Sequence, residues 1–130
     1  MRYQAKIEEL DKVLALVEGK LEEAEVSPKI TISFLVAVEE IFVNVAHYAY
    51  QGEEGYVDID LDISDGKILI CFCDEGVAFD PLAKEDPDIT ATVEEREIGG
   101  LGIYMVKKSM DGIEYERVDN KNVLRFWKNC

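Results

Sequence analysis

Cysteine is scarce in this chain and histidine nearly absent: three and one, respectively, in 130 residues. Three thiols always leave one unpaired, so they build no disulfide framework. Cys71 and Cys73 alternate in an apolar segment and are expected on one strand face as small core residues, with Cys130 terminal. One C-x-C and the distant His47 do not complete a zinc ligand set. Basic residues are also few, 14 against 28 acidic, for a net charge of −14. Such a surface repels phosphate backbones and anionic headgroups, which argues against nucleic-acid and membrane-surface binding and favours a positively charged protein partner. No uninterrupted apolar run approaches the roughly 18 to 20 residues of a membrane span. The first residues, Met1-Arg2-Tyr3-Gln4-Ala5, carry no signal-peptide pattern, so a cytoplasmic protein is expected. Internal repeats, low-complexity tracts and Pro/Gly/Ser linkers are absent. What remains is a chain 48% hydrophobic, long enough for one domain over 1–130 with a core of its own.

The apolar spacing supplies the elements. A short strand is expected near 2–7, and Leu10, Val13, Leu14, Val17 and Leu21 recur at three and four residues, an amphipathic helix over 8–24. Ser27-Pro28 reads as an N-cap followed by proline at the first helical position, opening a long helix to about Tyr50. After a polar break at 51–54, Tyr56, Ile59, Leu61 and Ile63 lead into Asp65-Gly66, a hairpin turn, and a returning strand over 67–73. Residues 74–98 lack any apolar period and read as a long loop, a length that usually carries function or disorder. Gly99-Gly100-Leu101-Gly102 then opens a helix to about Met110. Two strands follow over 113–118 and 123–127, joined by Asp119-Asn120-Lys121-Asn122. Helices segregated from hairpin-linked strands predict an α+β two-layer sandwich.

Three motifs carry chemistry. Glu40 and Asn44 are four apart, hence side by side on one helix face, among the apolar Leu35, Val38, Ile41, Phe42 and Val45, where polar groups need partners or a task. A solvated edge at Glu39-Glu40 with a locally bonded Asn44 fits the same segment. Asp74-Glu75-Gly76 leaves an apolar strand with an acid at its mouth, able to accept from an exocyclic amine, although a plain strand-ending turn has the same sequence. Gly99-Gly100-Leu101-Gly102 combines backbone freedom with a helix N-terminus, where anions meet free N–H groups; a flexible hinge is the competing explanation. Ile103 stands where a Walker-type loop needs lysine, which excludes that class, and the strand-then-GxGxxG order of a dinucleotide fold is missing.

In the order E-x-x-x-N, D-x-G, G-x-G, from about Ser27 to Lys128, the chain resembles the ATP-binding domain shared by gyrase, Hsp90, sensor histidine kinases and MutL (the GHKL, or histidine-kinase-like ATPase, superfamily with its Bergerat-type fold). Within it the chain looks most like the small bacterial anti-sigma factor serine/threonine kinases, particularly at Asn44 with Ala49-Tyr50, Phe79-Asp80-Pro81, and Gly100-Leu101-Gly102-Ile103-Tyr104-Met105-Val106 running into Met110-Asp111. The resemblance implies a mixed, mostly antiparallel sheet with helices on one face, ATP or ADP with Mg²⁺ as cofactors, and a lid over about 81–98. It implies Glu40 as general base and Asn44 as both nucleotide contact and magnesium ligand. It further implies Asp74 on the adenine amino group with Gly76 and Ala78 shaping the pocket, and Gly100, Leu101, Gly102 and Ile103 at the phosphates. Ala78 replaces the second glycine of the D-x-G-x-G box, a small change that narrows the pocket. The implied activity is phosphorylation of a serine on a STAS-type antagonist, with a sigma factor as second partner and room for a homodimer. A nucleotide-dependent binding module that transfers nothing, and a detached histidine-kinase catalytic domain, are the rival readings. His47 is assigned no catalytic role, and Arg96, the lone arginine of the lid segment, fits an ion pair with Glu94, Glu95 or Glu97 better than a phosphate contact.

Overall fold

Ser27 stands in extended backbone with its Oγ accepting from the Ile30 N–H at 3.4 Å, and Pro28 follows at the first helical position. The helix it opens, α2 (Pro28–Tyr48), is the longest element of the computed structural model, which describes residues 1–51, 53–78, 80–83 and 100–130. Before it come strand β1 (Arg2–Gln4), a 3-10 turn (Ile7–Glu9) and α1 (Leu10–Glu23). After it come β2 (Tyr56–Ser64), β3 (Lys67–Asp74), a 3-10 turn (Pro81–Ala83), α3 (Gly100–Ser109), β4 (Gly112–Val118) and β5 (Lys121–Asn129).

The five strands form one sheet in the order β1-β2-β3-β5-β4, and every pairing among the described residues is antiparallel. Asp65 and Gly66, at φ 52° and 74°, make the β2–β3 hairpin that the sequence predicts, since left-handed geometry at both central residues matches the twist of the strands. The helices cover one face. Val57, Ile59, Ile68, Ile70, Phe72, Leu124 and Phe126 alternate onto that face and meet Phe34, Ala37, Val38, Ile41 and Phe42 of α2 and Val13, Val17 and Leu21 of α1. This is the two-layer α+β sandwich expected from the sequence. By length and composition alone α2 is apolar enough to cross a membrane. Its fully buried Phe34 and Phe42 instead pack into this core, each contributing about 1.5 to 3 kcal/mol by area removed from water.

Two expectations are corrected. Cys71 and Cys73 do share a face, but it is the open one: they are half-buried opposite Asp60 and Asp58, while their neighbours Ile70, Phe72 and Asp74 point into the molecule. Burial pushes both thiols up, so neither is an activated nucleophile. The link between the last two strands is also shorter than expected. Asp119 and Asn120, at φ 49° and 63°, close a two-residue turn, Val118 pairs with Lys121, and Asn122 belongs to β5 opposite Asp74.

Candidate functional site

The C-terminal half of α2 and the ends of β3, β4 and β5 line a narrow cleft that opens to solvent. Asn44, Asp74, Tyr115 and Asn122 supply its polar groups, and Ile41, Phe72, Pro81 and Leu124 much of its apolar wall. An apolar slot with a few convergent polar groups is the usual form of a small-molecule site.

Asp74 and Asn122 are 5% and 6% exposed, and a charge buried to that degree needs partners. Asp74 Oδ1 has two: the Gly76 N–H at 2.9 Å and Asn122 Nδ2 at 2.9 Å. Its Oδ2 has none among the described residues. Asn122 Nδ2 also donates to the Val77 carbonyl at 2.7 Å, Tyr115 bonds to Asn122 Oδ1 through its hydroxyl, and Arg117 donates to the Gly76 carbonyl at 2.8 Å.

The turn after Asp74 is fastened to the end of α2. The Ala49 carbonyl accepts from the Val77 N–H at 2.7 Å, and the Tyr50 hydroxyl accepts from the Glu75 N–H at 3.0 Å while donating to the Tyr56 carbonyl. A Cβ on Gly76 would fall within 2.7 Å of Ala49 Cβ and closer still to the Ala49 carbonyl, so only glycine allows this approach. The spacing from Asn44 to Tyr50 therefore matters twice: the same helix presents the amide and, at its end, anchors the aspartate turn.

Glu40 lies one turn before Asn44, half-buried, with its carboxyl held above the ordinary range by burial and, second, by Glu39. Its carboxylate rests against the first turn of α3. A Cβ on Gly102 would overlap Glu40 Oε2 and stand 2.9 Å from Cδ. The N–H groups of that turn have no partners within the helix, and the dipole end is positive, which makes it the part of the fold best suited to anions.

The structure thus brings Glu40 to Gly102 and places Asn44 and Asp74 in the lining of one cleft, which Glu40 and Gly102 do not line. Gly76 shapes the turn beneath Asp74. Ile103 is 8% exposed and sits in the core, leaving only its backbone N–H to face a ligand. Ala78 is exposed and does not line the cleft. Gly100 begins α3, whereas the side chain of Leu101, Phe79, and residues 84–99 with Arg96 and most of the expected lid lie outside the described residues. His47 is exposed on the last turn of α2, edge-on to Tyr48 at 6.1 Å between ring centroids. Among the described residues no three His, Cys, Asp or Glu side chains converge on a metal-sized space. Asn122, Tyr115 and the Ala49-Tyr50 clamp are the site residues that sequence reasoning missed. The alternation of Asn122 with Leu124 and Phe126 is the signal that marks Asn122 as inward-facing.

A sheet covered on one face by helices, with its cleft between a long helix and the strand ends, is the build of the GHKL ATP-binding class. The chain belongs to the histidine kinase-like ATPase domain family, whose model matches residues 3–128. Over 93 residues it is 30% identical to the serine-protein kinase RsbW of Bacillus cereus, and over 88 residues 33% identical to that of Bacillus pumilus. These matches cover 68% and 62% of the chain but only 58% and 54% of the relatives. In fold it is similar to a Pseudomonas aeruginosa chain from the SiaB–SiaC complex, with a TM-score of 0.60 at 13% identity over 100% of this chain and 89% of that one. The histidine kinase AdeS of Acinetobacter baumannii follows at 0.52 and 14%, over 99% and 67%.

Proposed function

We propose that the protein is an ATP-dependent serine/threonine protein kinase of the anti-sigma type, acting in the cytoplasm on a serine of a STAS-type antagonist. One observation carries the reading: Glu40 touches the glycine-opened start of α3, while one turn further along α2 Asn44 lines a cleft with Asp74, whose Oδ2 has no partner among the described residues. An adenine seated in the cleft offers its exocyclic amine to that oxygen, and the phosphates then extend toward the N–H groups of α3. Glu40 takes the proton of the attacking hydroxyl as its oxygen bonds to the γ-phosphorus and the bond to ADP breaks. Phosphoryl transfer asks little more of a protein than this positioning and charge stabilisation. A carboxylate raised above its ordinary value by burial is a stronger base once ionised.

The donor set fits magnesium in the manner usual for that ion, which keeps several waters and borrows phosphate oxygens. Asn44 Oδ1 would hold it, and when bound it neutralises charge on those oxygens. The partner assignment draws on the serine-protein kinases the chain resembles, and the surplus of acidic residues suits a basic partner surface. A sigma factor as a second partner and a homodimer belong to the same proposal. Incubation with labelled ATP and a STAS-type partner tests it: phosphate on a serine supports the kinase, whereas nucleotide binding with no label on the partner leaves a nucleotide-dependent binding module.

A further inference from the structure

Three large apolar side chains stand exposed on the outside of the helix layer: Ile32 and Val36 of α2, 64% and 49% exposed, and Met105 of α3, 51% exposed. Spacings of four place Ile32, Val36 and Glu40 on successive turns of one face of α2. The two helices run in opposite directions. Gly102 meets Glu40, whereas the first half of α2 lies toward the far end of the sheet, where α3 hands the chain to β4: Phe34 packs on Phe126 at 5.2 Å between ring centroids, and Gly112 pairs with the adjacent Trp127. Met105, one turn past Gly102, therefore comes alongside Val36, one turn before Glu40. Charge is polarised along the same strip. Glu39 and Glu40 stand at one end, and the exposed Lys29, about 16 Å away along α2, stands at the other with the exposed Lys108 of the last turn of α3.

From this we propose that the groove between α2 and α3 is the docking surface for the protein whose serine is phosphorylated. The fitting segment carries a basic side chain beside its serine to meet Glu39, aliphatic side chains over Ile32, Val36 and Met105, and an acidic side chain toward Lys29 and Lys108. The inference rests on the kinase reading given above and names the surface that holds its substrate. Contiguous exposed apolar side chains mark interaction sites, and this strip leads to the contact between Glu40 and Gly102. A small phosphoacceptor has no use for it, but a protein that brings a hydroxyl to Glu40 has to cover the surface around that residue. A second copy of this chain seated there would close the approach to Glu40.

Ile32→Ala and Met105→Ala test this, since alanine suits both helices and exposed side chains are lost without harm to the core. Val118→Ala, at an exposed apolar residue of β4, is the control. Affinity for a purified STAS-type partner is measured with magnesium and a non-hydrolysable ATP analogue, and KM and kcat are read from labelled-phosphate transfer. The expected result is partner affinity weakened, and partner KM raised, about tenfold in Ile32→Ala and Met105→Ala, the scale of a side chain central to an interface. Their kcat and nucleotide affinity should stay within about twofold of wild type, and Val118→Ala should match wild type throughout. Lys29→Glu should weaken the partner most at low salt, where exposed charges are least screened. Wild-type affinity and KM in both alanine variants, or lost self-association in place of lost partner binding, overturn the docking surface and leave the kinase reading standing. A wild type that binds the partner without labelling it overturns the kinase reading alone, and the affinities still decide the surface. A wild type that neither binds nor labels it overturns both.

Discussion

Glu40 and Gly102 occupy one another's space: the carboxylate of the α2 residue fills the position where any side chain at the α3 residue would begin. The obstacle is the far end of a flexible side chain, so Gly102→Ala has an inexpensive escape, with Glu40 swinging outward and alanine improving the helix by up to about 1 kcal/mol. Thermal unfolding of Gly102→Ala should therefore differ little from wild type, while phosphate transfer drops at least about tenfold because the base has moved. A variant that is fully active at unchanged stability would break the link between this contact and catalysis.

Burial holds the Glu40 carboxyl above its ordinary value of 4.5, with Glu39 adding to the shift. A raised acid favours the fold in its protonated form, so its stabilising contribution is complete below the unfolded-state value and is lost as pH rises through the folded-state value. Glu40→Gln mimics the protonated form at every pH. Its melting temperature should exceed that of wild type at pH 7, and the gap should close as pH falls into the carboxylate range. A gap of the opposite sign, or one unaffected by pH, would contradict the burial of this group.

Rigid backbone meets Gly76, in contrast to Gly102. Gly76→Ala drives a Cβ into the Ala49 carbonyl, and an overpacked site of this kind costs about 1 to 3 kcal/mol. Tyr50→Phe removes the hydroxyl shared by Tyr56 and Glu75, worth about 1 kcal/mol. Denaturant melts should rank Gly76→Ala below Tyr50→Phe below wild type, with nucleotide affinity falling in the same order. Wild-type affinity in both variants would show that the clamp from α2 does not organise the aspartate turn.

Much of this was legible in the residues because local rules and tertiary structure agree. Ser27-Pro28 starts a helix, Asp65-Gly66 turns a hairpin, and Glu40 and Asn44 fall one turn apart, each for a reason contained within a few positions. The errors fall where a choice was settled from far away. Residues 68–73 are apolar on both faces, so alternation alone could not say which side Cys71 and Cys73 take. The parity of Asp74 decides it, since an aspartate aimed into the cleft puts Phe72 inward and the cysteines outward. Asn122 looked like turn because Asp119-Asn120-Lys121-Asn122 is all polar. Two left-handed residues suffice to reverse the chain there, and the hydrogen bonds that reveal its task come from β3 and β4, which no local pattern encodes.

Asp74→Asn keeps the volume of the side chain but makes one end a donor. Since Asp74 Oδ1 already receives two hydrogen bonds, the asparagine would set its oxygen there and turn its NH₂ toward the cleft. That group meets the amine of adenine badly and the carbonyl of guanine well. Titration with ADP and GDP should show adenine affinity falling about tenfold or more and the preference shrinking or reversing. An unchanged preference would remove Asp74 from base recognition.

The most direct measurement is labelled-phosphate transfer from ATP to a serine of a STAS-type partner, with nucleotide affinity determined on the same preparations of wild type, Glu40→Gln and Asn44→Ala. The account predicts a labelled partner with wild type. It predicts near-normal nucleotide binding but transfer lowered by about 10²- to 10⁴-fold in Glu40→Gln, the usual contribution of a positioned base. Asn44→Ala should lose magnesium-dependent binding and transfer together. A fully active Glu40→Gln protein, or a wild type that binds ATP and labels no such partner, would contradict it.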